Sequence, residues 1–365
     1  MSEPKVRGAD WTEERGTSDE GRRRLKSGPE ASGKHCVTDP IPHWPGRLVP
    51  LGDHDGHQVY VRSTPASDNT KPNNPELENP GPHEPQPALF VHGLEGSSRN
   101  WTDLMDLLRP HLACDALDLP GFGDSPPRPD RRYSIAALAQ TVITLIEKHH
   151  QNPVHLVGNS LGGAVCVKVA ATRPELIRTL TLISPALPDL RPRLDLVRFP
   201  VMGLPRVGPR LIRHYQAALP PERRVAAVIA TCFSNPGLFP QARLAAEAAE
   251  LGRRDSLEYA GAALVGSARA LTTEFLRRGR RSPWQDAARV TAPTLVVYGA
   301  RDRLVDPRAA GRAAHQFKDA RIVVLPRTGH VAQMEHPDLV AAEIGILLDS
   351  AAAGRAREFP LAPAG

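Results

Sequence analysis

The fold class that the sequence predicts is α/β, because an apolar run typical of a buried strand leads through a sharp turn into a segment typical of a packed helix. Residues 153–157 form one such apolar run, and residues 164–171 form the helical segment that follows it. Three short motifs, Gly158–Gly162, Gly299–Asp302 and Gly329–His330, each come after an apolar run. Open α/β sheets carry their functional side chains at the carboxyl ends of the strands. We therefore expect the three motifs to lie at that edge of the sheet.

The chain begins with a segment that has no features of a folded element. Residues 1–34 are rich in Asp, Glu, Gly and Ser and contain no apolar stretch of a secretory signal, so they predict a disordered tail. Acidic residues are too frequent there for a basic transit peptide. Apolar runs at 47–51 and 57–61 flank an Asp55–Gly56 turn and predict a hairpin. Residues 63–87 are rich in Pro, Asn, Glu and Ser and predict a disordered loop.

The following elements alternate as an α/β fold requires. Strands are predicted at 88–91, 113–118, 153–157 and 178–183, and helices at 101–111, 134–150 and 164–171. Residues 186–286 then show short amphipathic helical stretches, such as 225–232 and 244–251, and no strand pattern. Strand patterns return at 293–299 and 321–326, directly before the second and third motifs.

Ser160 is the predicted nucleophile. A G-x-S-x-G pentapeptide is informative where it joins a strand to a helix, and residues 158–162 stand in that context. A serine on so sharp a turn has a strained backbone, so its neighbours must lack bulk where the chain folds back. Gly158, Gly162 and Gly163 meet that need.

Two backbone N–H groups are predicted to stabilise the anion that forms when this serine attacks a carbonyl group. One belongs to Leu161, at the start of the helix after Ser160. The other belongs to Leu94, in the Gly-bounded loop after strand 88–91. His92 precedes this loop, and we interpret it as holding the loop in place rather than as a chemical group.

His330 is the predicted general base, because a serine hydroxyl becomes a strong nucleophile only when a base takes its proton. Asp302 is the predicted acid that orients the imidazole and stabilises its charged form. Asp306 is a rival, since it follows the same strand, but it precedes Pro307.

With these residues the chain resembles the α/β-hydrolase superfamily from about residue 47 to about residue 350. Asp118–Ser125 is similar to that family's D-x-x-G-x-G-x-S loop, Gly329–Pro337 is similar to its histidine loop, and Asp302 stands at its acid position. The resemblance implies a mostly parallel sheet of about eight strands, with helices on both faces and a helical cap after the sixth strand. It divides the chain into a core at 36–185 and 287–351, a cap at 186–286, and a flexible C-terminal tail at 352–365.

The predicted function is hydrolysis of carboxylic esters of small to medium apolar substrates through an acyl-enzyme on Ser160. The family's epoxide hydrolases and haloalkane dehalogenases are excluded, because they need a carboxylate where this chain has Ser160. A triad-retaining ligand receptor of the same fold is one alternative. The cap residues that could line the pocket are Phe199, Met202, Tyr215, Phe233, Phe239, Tyr259, Phe275 and Trp284.

A second alternative is a carbon–carbon bond hydrolase of ring meta-cleavage products. The chain resembles that family at Gly158–Ser160 and in the Gln333, Glu335, His336 pattern. It departs from the family at Val331, where a Trp is usual, and at Glu95, where a Pro is usual. These departures favour ester hydrolysis.

Composition is typical of a cytoplasmic enzyme. The chain has 365 residues, 41% of them hydrophobic, and no run long enough to predict stable membrane insertion. Its net charge of +6 could suggest a nucleic acid or an anionic membrane as partner. We discount both, because apart from Arg277–Arg281 the basic residues are dispersed and no nucleic-acid motif accompanies them. We predict a small-molecule ester as partner, no nucleic acid, no cofactor and no metal. The 4 cysteines have no pairing or ligand spacing and are predicted to be reduced.

Overall fold

The computed structural model describes residues 40–52, 56–65, 85–150, 153–188, 198–204 and 206–354. The predicted N-terminal tail at 1–34 lies outside the described residues. So do most of the predicted loop at 63–87 and all but the start of the predicted C-terminal tail at 352–365.

Eight strands form one sheet, in the order β1, β2, β4, β3, β5, β6, β7, β8. The strands are β1 Gly46–Pro50, β2 Gln58–Ser63, β3 Gln86–Val91, β4 Leu112–Leu117, β5 Val154–Asn159, β6 Ile177–Ile183, β7 Thr294–Gly299 and β8 Ala320–Leu325. The strand β2 is antiparallel to β1 and β4, and the other pairs are parallel. The mostly parallel eight-stranded sheet is thus confirmed.

Helices cover both faces of this sheet. The α-helices of the described part of the chain, both those on the sheet and those inserted between β6 and β7, are α1 Thr102–Leu108, α2 Ile135–His149, α3 Leu161–Thr172, α4 Arg198–Met202, α5 Val207–Ala218, α6 Pro221–Cys232, α7 Gln241–Asp255, α8 Ala260–Leu276, α9 Pro283–Ala287, α10 Ala309–Gln316, α11 Ala332–Glu335 and α12 Pro337–Ala352. In the described part of the chain, no helix is long and apolar enough to cross a membrane.

The central strands are buried on both sides because alternate side chains enter two separate cores. In β3, Leu89 and Val91 pack with α2 and α3, whereas Phe90 packs with Trp101 beside α1 and with α12. The Phe90 and Trp101 rings lie 5.4 Å apart. Apolar runs without alternation, such as that of β5, therefore form strands here.

The predicted bounds of the loop at 63–87 are wrong at both ends. Ser63 is the last residue of β2, and Gln86 and Pro87 are the first two of β3. Pro87 pairs in register with Ala113 of β4. Proline has no N–H to donate to a neighbouring strand, but this is tolerated at the beginning of a strand. The strand can therefore begin before its apolar run.

Among the described residues between β6 and β7 are the six helices α4 to α9, and we call residues 198–287 the helical insertion. The predicted helical stretches at 225–232 and 244–251 fall within α6 and α7. The last helix packs differently from the prediction, because Trp284 of α9 is 1% exposed and joins the core beside α3 and α10. The predicted cap boundary at 286 therefore falls inside a helix that belongs to the core layer.

Candidate active site

Ser160 occupies a sharp turn between β5 and α3, with φ 53° and ψ −115°. A non-glycine residue with this φ is strained, and such strain collects at functional sites. The turn needs glycine on either side. A Cβ on Gly162 would lie 2.1 Å from the Val91 carbonyl oxygen, and one on Gly158 would lie 2.6 Å from Cys166 Sγ. Both close approaches agree with the expectation that the neighbours of Ser160 must lack bulk where the chain folds back.

Hydrogen bonds hold this turn to the neighbouring strand and to the histidine loop. The Ser160 N–H donates to the Ile183 carbonyl at 3.0 Å. The Asn159 side chain donates to the same carbonyl at 3.0 Å and to the His330 carbonyl at 3.2 Å. Asn159 thus ties the turn at Ser160 to the histidine loop, a role that the sequence did not predict.

The loop after β3 lies against the serine. A Cβ on Gly93 would be 3.1 Å from Ser160 Cβ, so the chain passes directly beside Ser160. Leu94 follows Gly93 and lines the cavity that also contains Ser160. Leu161 is the first residue of α3, and its side chain is buried. The residues whose N–H groups were predicted to stabilise an anion therefore flank the serine.

His92 connects this loop to the loop after β4. Its Nδ1 donates to the Gly93 carbonyl at 2.7 Å, and its Nε2 accepts from the Leu119 N–H at 2.9 Å. Only a neutral ring can make both bonds. Burial lowers the pKa of His92 to about 4. The expected structural role of His92 agrees with these contacts.

We expect acid to destabilise the fold through two buried histidines. Burial lowers the pKa of His92 and of His155 to about 4, so the unfolded chain takes up protons first as the pH falls below about 6.5. The contribution of these histidines to the free energy of unfolding should be fully present above that pH and should be lost progressively towards pH 4. Equilibrium urea unfolding measures this, with a slope of up to about 1.4 kcal/mol per pH unit for each histidine. In His155→Gln, the slope of the unfolding free energy against pH should be smaller by up to about 1.4 kcal/mol per pH unit, which corresponds to one proton. An unchanged slope would mean that His155 does not cause the loss of stability in acid.

Asp302 and His330 form a buried pair. His330 Nδ1 donates to Asp302 Oδ2 at 2.8 Å, and the two side chains are 5% and 0% exposed. The other carboxylate oxygen accepts from the N–H groups of Leu304 at 2.7 Å and Val305 at 2.9 Å. Burial alone raises the pKa of Asp302, but the His330 ring and the Val305 N–H outweigh it and hold the pKa below its ordinary value. The carboxylate therefore stays charged beside the imidazole.

The rival carboxylate is bound elsewhere. Asp306 accepts from the Arg308 N–H at 2.9 Å and from Arg308 Nε at 2.9 Å and 3.0 Å. The structure thus brings Asp302 to the ring nitrogen of His330 and engages Asp306 with Arg308.

Glu335 ties the histidine loop to the helical insertion. Its Oε2 accepts from the N–H groups of Gly329 at 2.6 Å and Ser234 at 3.1 Å, and its Oε1 accepts from the Asn235 N–H at 2.8 Å. The side chain is buried. Glu335 belongs to the histidine-loop motif. Its contacts with Ser234 and Asn235 join segments about a hundred residues apart, so no local sequence pattern predicts them.

Replacing Glu335 by glutamine should damage both stability and turnover. The amide offers one acceptor where three N–H groups converge, so at least one buried donor loses its partner. We expect the free energy of unfolding to fall by about 3 kcal/mol and kcat to fall at least about tenfold, because the position of His330 relaxes. The matched control is Glu343→Gln, which removes a partly exposed ion pair with Arg321. Equal effects of the two substitutions would contradict a positioning role for Glu335.

The D-x-x-G-x-G-x-S segment, residues 118–125, is hydrogen-bonded to the loop after β3. Asp118 is buried and accepts from the N–H groups of Ser98 at 2.5 Å and Asp124 at 2.8 Å. A Cβ on Gly123 would lie 2.1 Å from Asp118 Oδ2. The Ser125 hydroxyl donates to the Asp118 carbonyl at 2.6 Å. The motif therefore builds a packed loop whose polar groups bond both to one another and to the loop after β3.

A cavity of about 1130 Å³ opens onto Ser160 and His330. The predicted pocket residues that line it are Met202, Tyr215, Phe233, Phe239, Phe275 and Trp284. Tyr259 does not line this cavity, and the side chain of Phe199 lies outside the described residues. The lining is mostly apolar but also includes charged side chains, among them Arg99, Glu250 and Arg254. A concave and mostly apolar lining is typical of a small-molecule site.

Comparison with known proteins agrees with the fold described above. A family model described as alpha/beta hydrolase fold matches residues 87–337. The chain is 27% identical over 259 residues to the dihydrolipoyllysine-residue acetyltransferase component of the acetoin cleaving system of Pseudomonas putida, a match that covers 70% of this chain and 61% of that protein. The chain thus spans about three fifths of the length of that relative.

Two further similarities cover nearly the whole of the other protein. The chain is 26% identical over 262 residues to pimeloyl-(acyl-carrier protein) methyl ester esterase of Neisseria meningitidis serogroup B strain H44/76, covering 70% of this chain and 90% of that protein. The crystal structure of 2-hydroxy-6-oxo-6-phenylhexa-2,4-dienoate hydrolase from Rhodococcus sp. strain RHA1 superposes with a TM-score of 0.63 at 19% identity, over 84% of this chain and 98% of that one. At this identity the superposition shows a shared fold.

Proposed function

The chain belongs to the α/β-hydrolase fold family, and from this membership we propose that it is a serine hydrolase that cleaves carboxylic esters of small to medium apolar substrates. The observation that carries the proposal is the buried Asp302–His330 pair, joined at 2.8 Å, on a cavity that also contains Ser160. A charged carboxylate on one ring nitrogen leaves the other nitrogen free to act as a base.

In the first half of the reaction, His330 Nε2 takes the proton of the Ser160 hydroxyl as Oγ attacks the ester carbonyl carbon. The carbonyl oxygen becomes an anion, which the N–H groups of Leu94 and Leu161 stabilise. His330 then returns the proton to the alkoxy oxygen, the carbon–oxygen bond breaks, and the alcohol leaves an acyl group on Ser160.

In the second half, water replaces the alcohol. His330 takes a proton from the water as its oxygen attacks the acyl carbon, and the same two N–H groups stabilise the second anion. Collapse of this intermediate releases the carboxylic acid and returns the proton to Ser160 Oγ. Asp302 keeps its charge throughout and stabilises the imidazolium formed in each half.

The helical insertion acts as the cap in this proposal. Its residues Met202, Phe233 and Phe239 line the cavity around the nucleophile, where they would hold an apolar acyl or alkyl group and limit the access of water. Ester chemistry draws support from the similarity to a methyl ester esterase.

A panel of substrates tests the proposal. The full chain is assayed with p-nitrophenyl esters of increasing acyl length and with a dienone ring-cleavage product, and Ser160→Ala serves as the matched control. We expect sustained release of p-nitrophenol by the parent protein and none above background by the variant. Faster turnover of the dienone would favour carbon–carbon bond hydrolysis instead, and a single slow burst with strong ligand-induced stabilisation would favour a receptor.

A further inference from the structure

Most of the exposed large apolar side chains belong to the helical insertion. In the described part of the chain, eleven large apolar side chains are exposed, and eight of them belong to the insertion: Val201, Leu204, Val207, Leu211, Tyr215, Val228, Leu238 and Leu276. Single exposed apolar residues are normal on any protein, but a contiguous group marks an interaction surface.

The helix α5 has an apolar stripe on its exposed side. Val207, Leu211 and Tyr215 stand four residues apart, and their exposed fractions are 45%, 45% and 43%. Residues with this spacing lie on one face of a helix. Ile212 lies on another face and is buried. Since the helix already packs through its buried side, packing among the described residues does not explain the exposed stripe.

Positive charge surrounds this stripe. Arg206, Arg210 and Arg213 are exposed on or beside α5, which contains no acidic residue. The asymmetry extends to the whole insertion, because residues 198–287 contain 14 arginines and seven acidic residues. The net charge of the complete chain is +6, so the rest of the chain carries no positive excess. Contrary to the expectation of dispersed basic residues, the positive charge is therefore concentrated on the insertion.

The apolar surface is continuous with the cavity of the candidate active site. Leu211, Tyr215, Val228 and Leu276 are exposed, and the same four residues line the cavity onto which Ser160 opens. An object docked on the α5 stripe would lie against the entrance of that cavity.

We infer that the α5 stripe and its arginines dock on an anionic lipid surface, with the entrance of the cavity towards the bilayer. Helices that lie in a membrane interface combine exposed apolar side chains with a flank of Lys or Arg, and anionic headgroups attract each basic residue near the surface. The stripe supplies the apolar contact, and Arg206, Arg210 and Arg213 supply the charge. The inference concerns binding alone, so it stands or falls independently of the proposed hydrolysis.

Cosedimentation with vesicles tests this inference. The full chain is mixed with vesicles of phosphatidylcholine alone, or with about a third phosphatidylglycerol, at low salt and at about 0.5 M salt. We expect the partition coefficient for the anionic vesicles to exceed that for the neutral ones at least about tenfold at low salt, and this excess to disappear at high salt. Equal binding to both kinds of vesicle, or binding to neither, would overturn the inference.

Paired variants locate the surface. Leu204→Ser with Val207→Ser removes apolar contact, and Arg210→Glu with Arg213→Glu reverses charge; none of these four residues lines the cavity. Each pair should lower binding to anionic vesicles at least about tenfold. The controls are Leu48→Ser with Leu339→Ser, and Arg178→Glu with Lys318→Glu, all exposed positions outside the insertion. Thermal melts are recorded to check that every variant folds.

Two outcomes of the variant series would reject the assignment. Equal loss in the control variants would mean that general charge or hydrophobicity drives adsorption. Loss in the arginine pair without loss in the apolar pair would mean that charge alone holds the protein on the vesicles and that the apolar stripe does not dock on the lipid surface.

Discussion

Asp302→Asn is expected to lower kcat for ester hydrolysis about 10⁴-fold, because an amide cannot stabilise the imidazolium and favours the wrong tautomer of the base. The carboxylate lies 2.8 Å from His330 Nδ1 and is fully buried, so solvent cannot replace it. Steady-state kinetics measure the effect. The Michaelis constant should change far less than kcat, since the side chain acts on His330 rather than on the substrate.

The matched control is Asp306→Asn. Both carboxylates are buried and lie in the loop after β7, but Asp306 bonds to Arg308. We expect the control to lower stability and to change kcat by less than about tenfold. If Asp306→Asn proves the more damaging for kcat, the assignment of the acid is wrong.

Ser160→Gly and Ser160→Ala should both abolish turnover, by about 10⁶-fold, yet differ in stability. The backbone at this position has φ 53° and ψ −115°, which glycine adopts with little strain and alanine does not. We therefore expect the free energy of unfolding of the glycine variant to exceed that of the alanine variant by about 1 kcal/mol. Urea denaturation of the two proteins measures this difference.

This comparison tests whether the turn stores strain for function. A glycine variant that is less stable than the alanine variant would mean that the conformation is not strained. Residual turnover in both variants at more than a small fraction of the parent rate would mean that Ser160 is not the nucleophile.

Patterns that are local in the sequence predicted the frame of the molecule. The strand β5, the turn at Ser160 and the helix α3 are consecutive, and a continuous apolar run ending in glycine specifies such a unit without long-range information. The strands β7 and β8 were predictable for the same reason, and with them the edge of the sheet at which Asp302 and His330 lie.

Other features depend on contacts between distant segments, and no local pattern reveals them. The strand β3 begins at Gln86 and Pro87 because β4 pairs with them, although neither residue favours a strand. Asn159 and Glu335 stand within recognised motifs, but their partners, His330 and residues 234–235, come from other parts of the chain. The exposed stripe on α5 has a helical period in the sequence, but that period cannot say which face is buried.

Active-site labelling tests the central claim most directly. The parent protein is treated with a fluorophosphonate, digested, and mapped by mass spectrometry, with Ser160→Ala as control. An activated serine beside two anion-stabilising N–H groups should give a single adduct on the peptide that contains Ser160, and the variant should give none. An adduct on another residue, or ester turnover that continues without any adduct, would contradict the assignment of Ser160 as nucleophile.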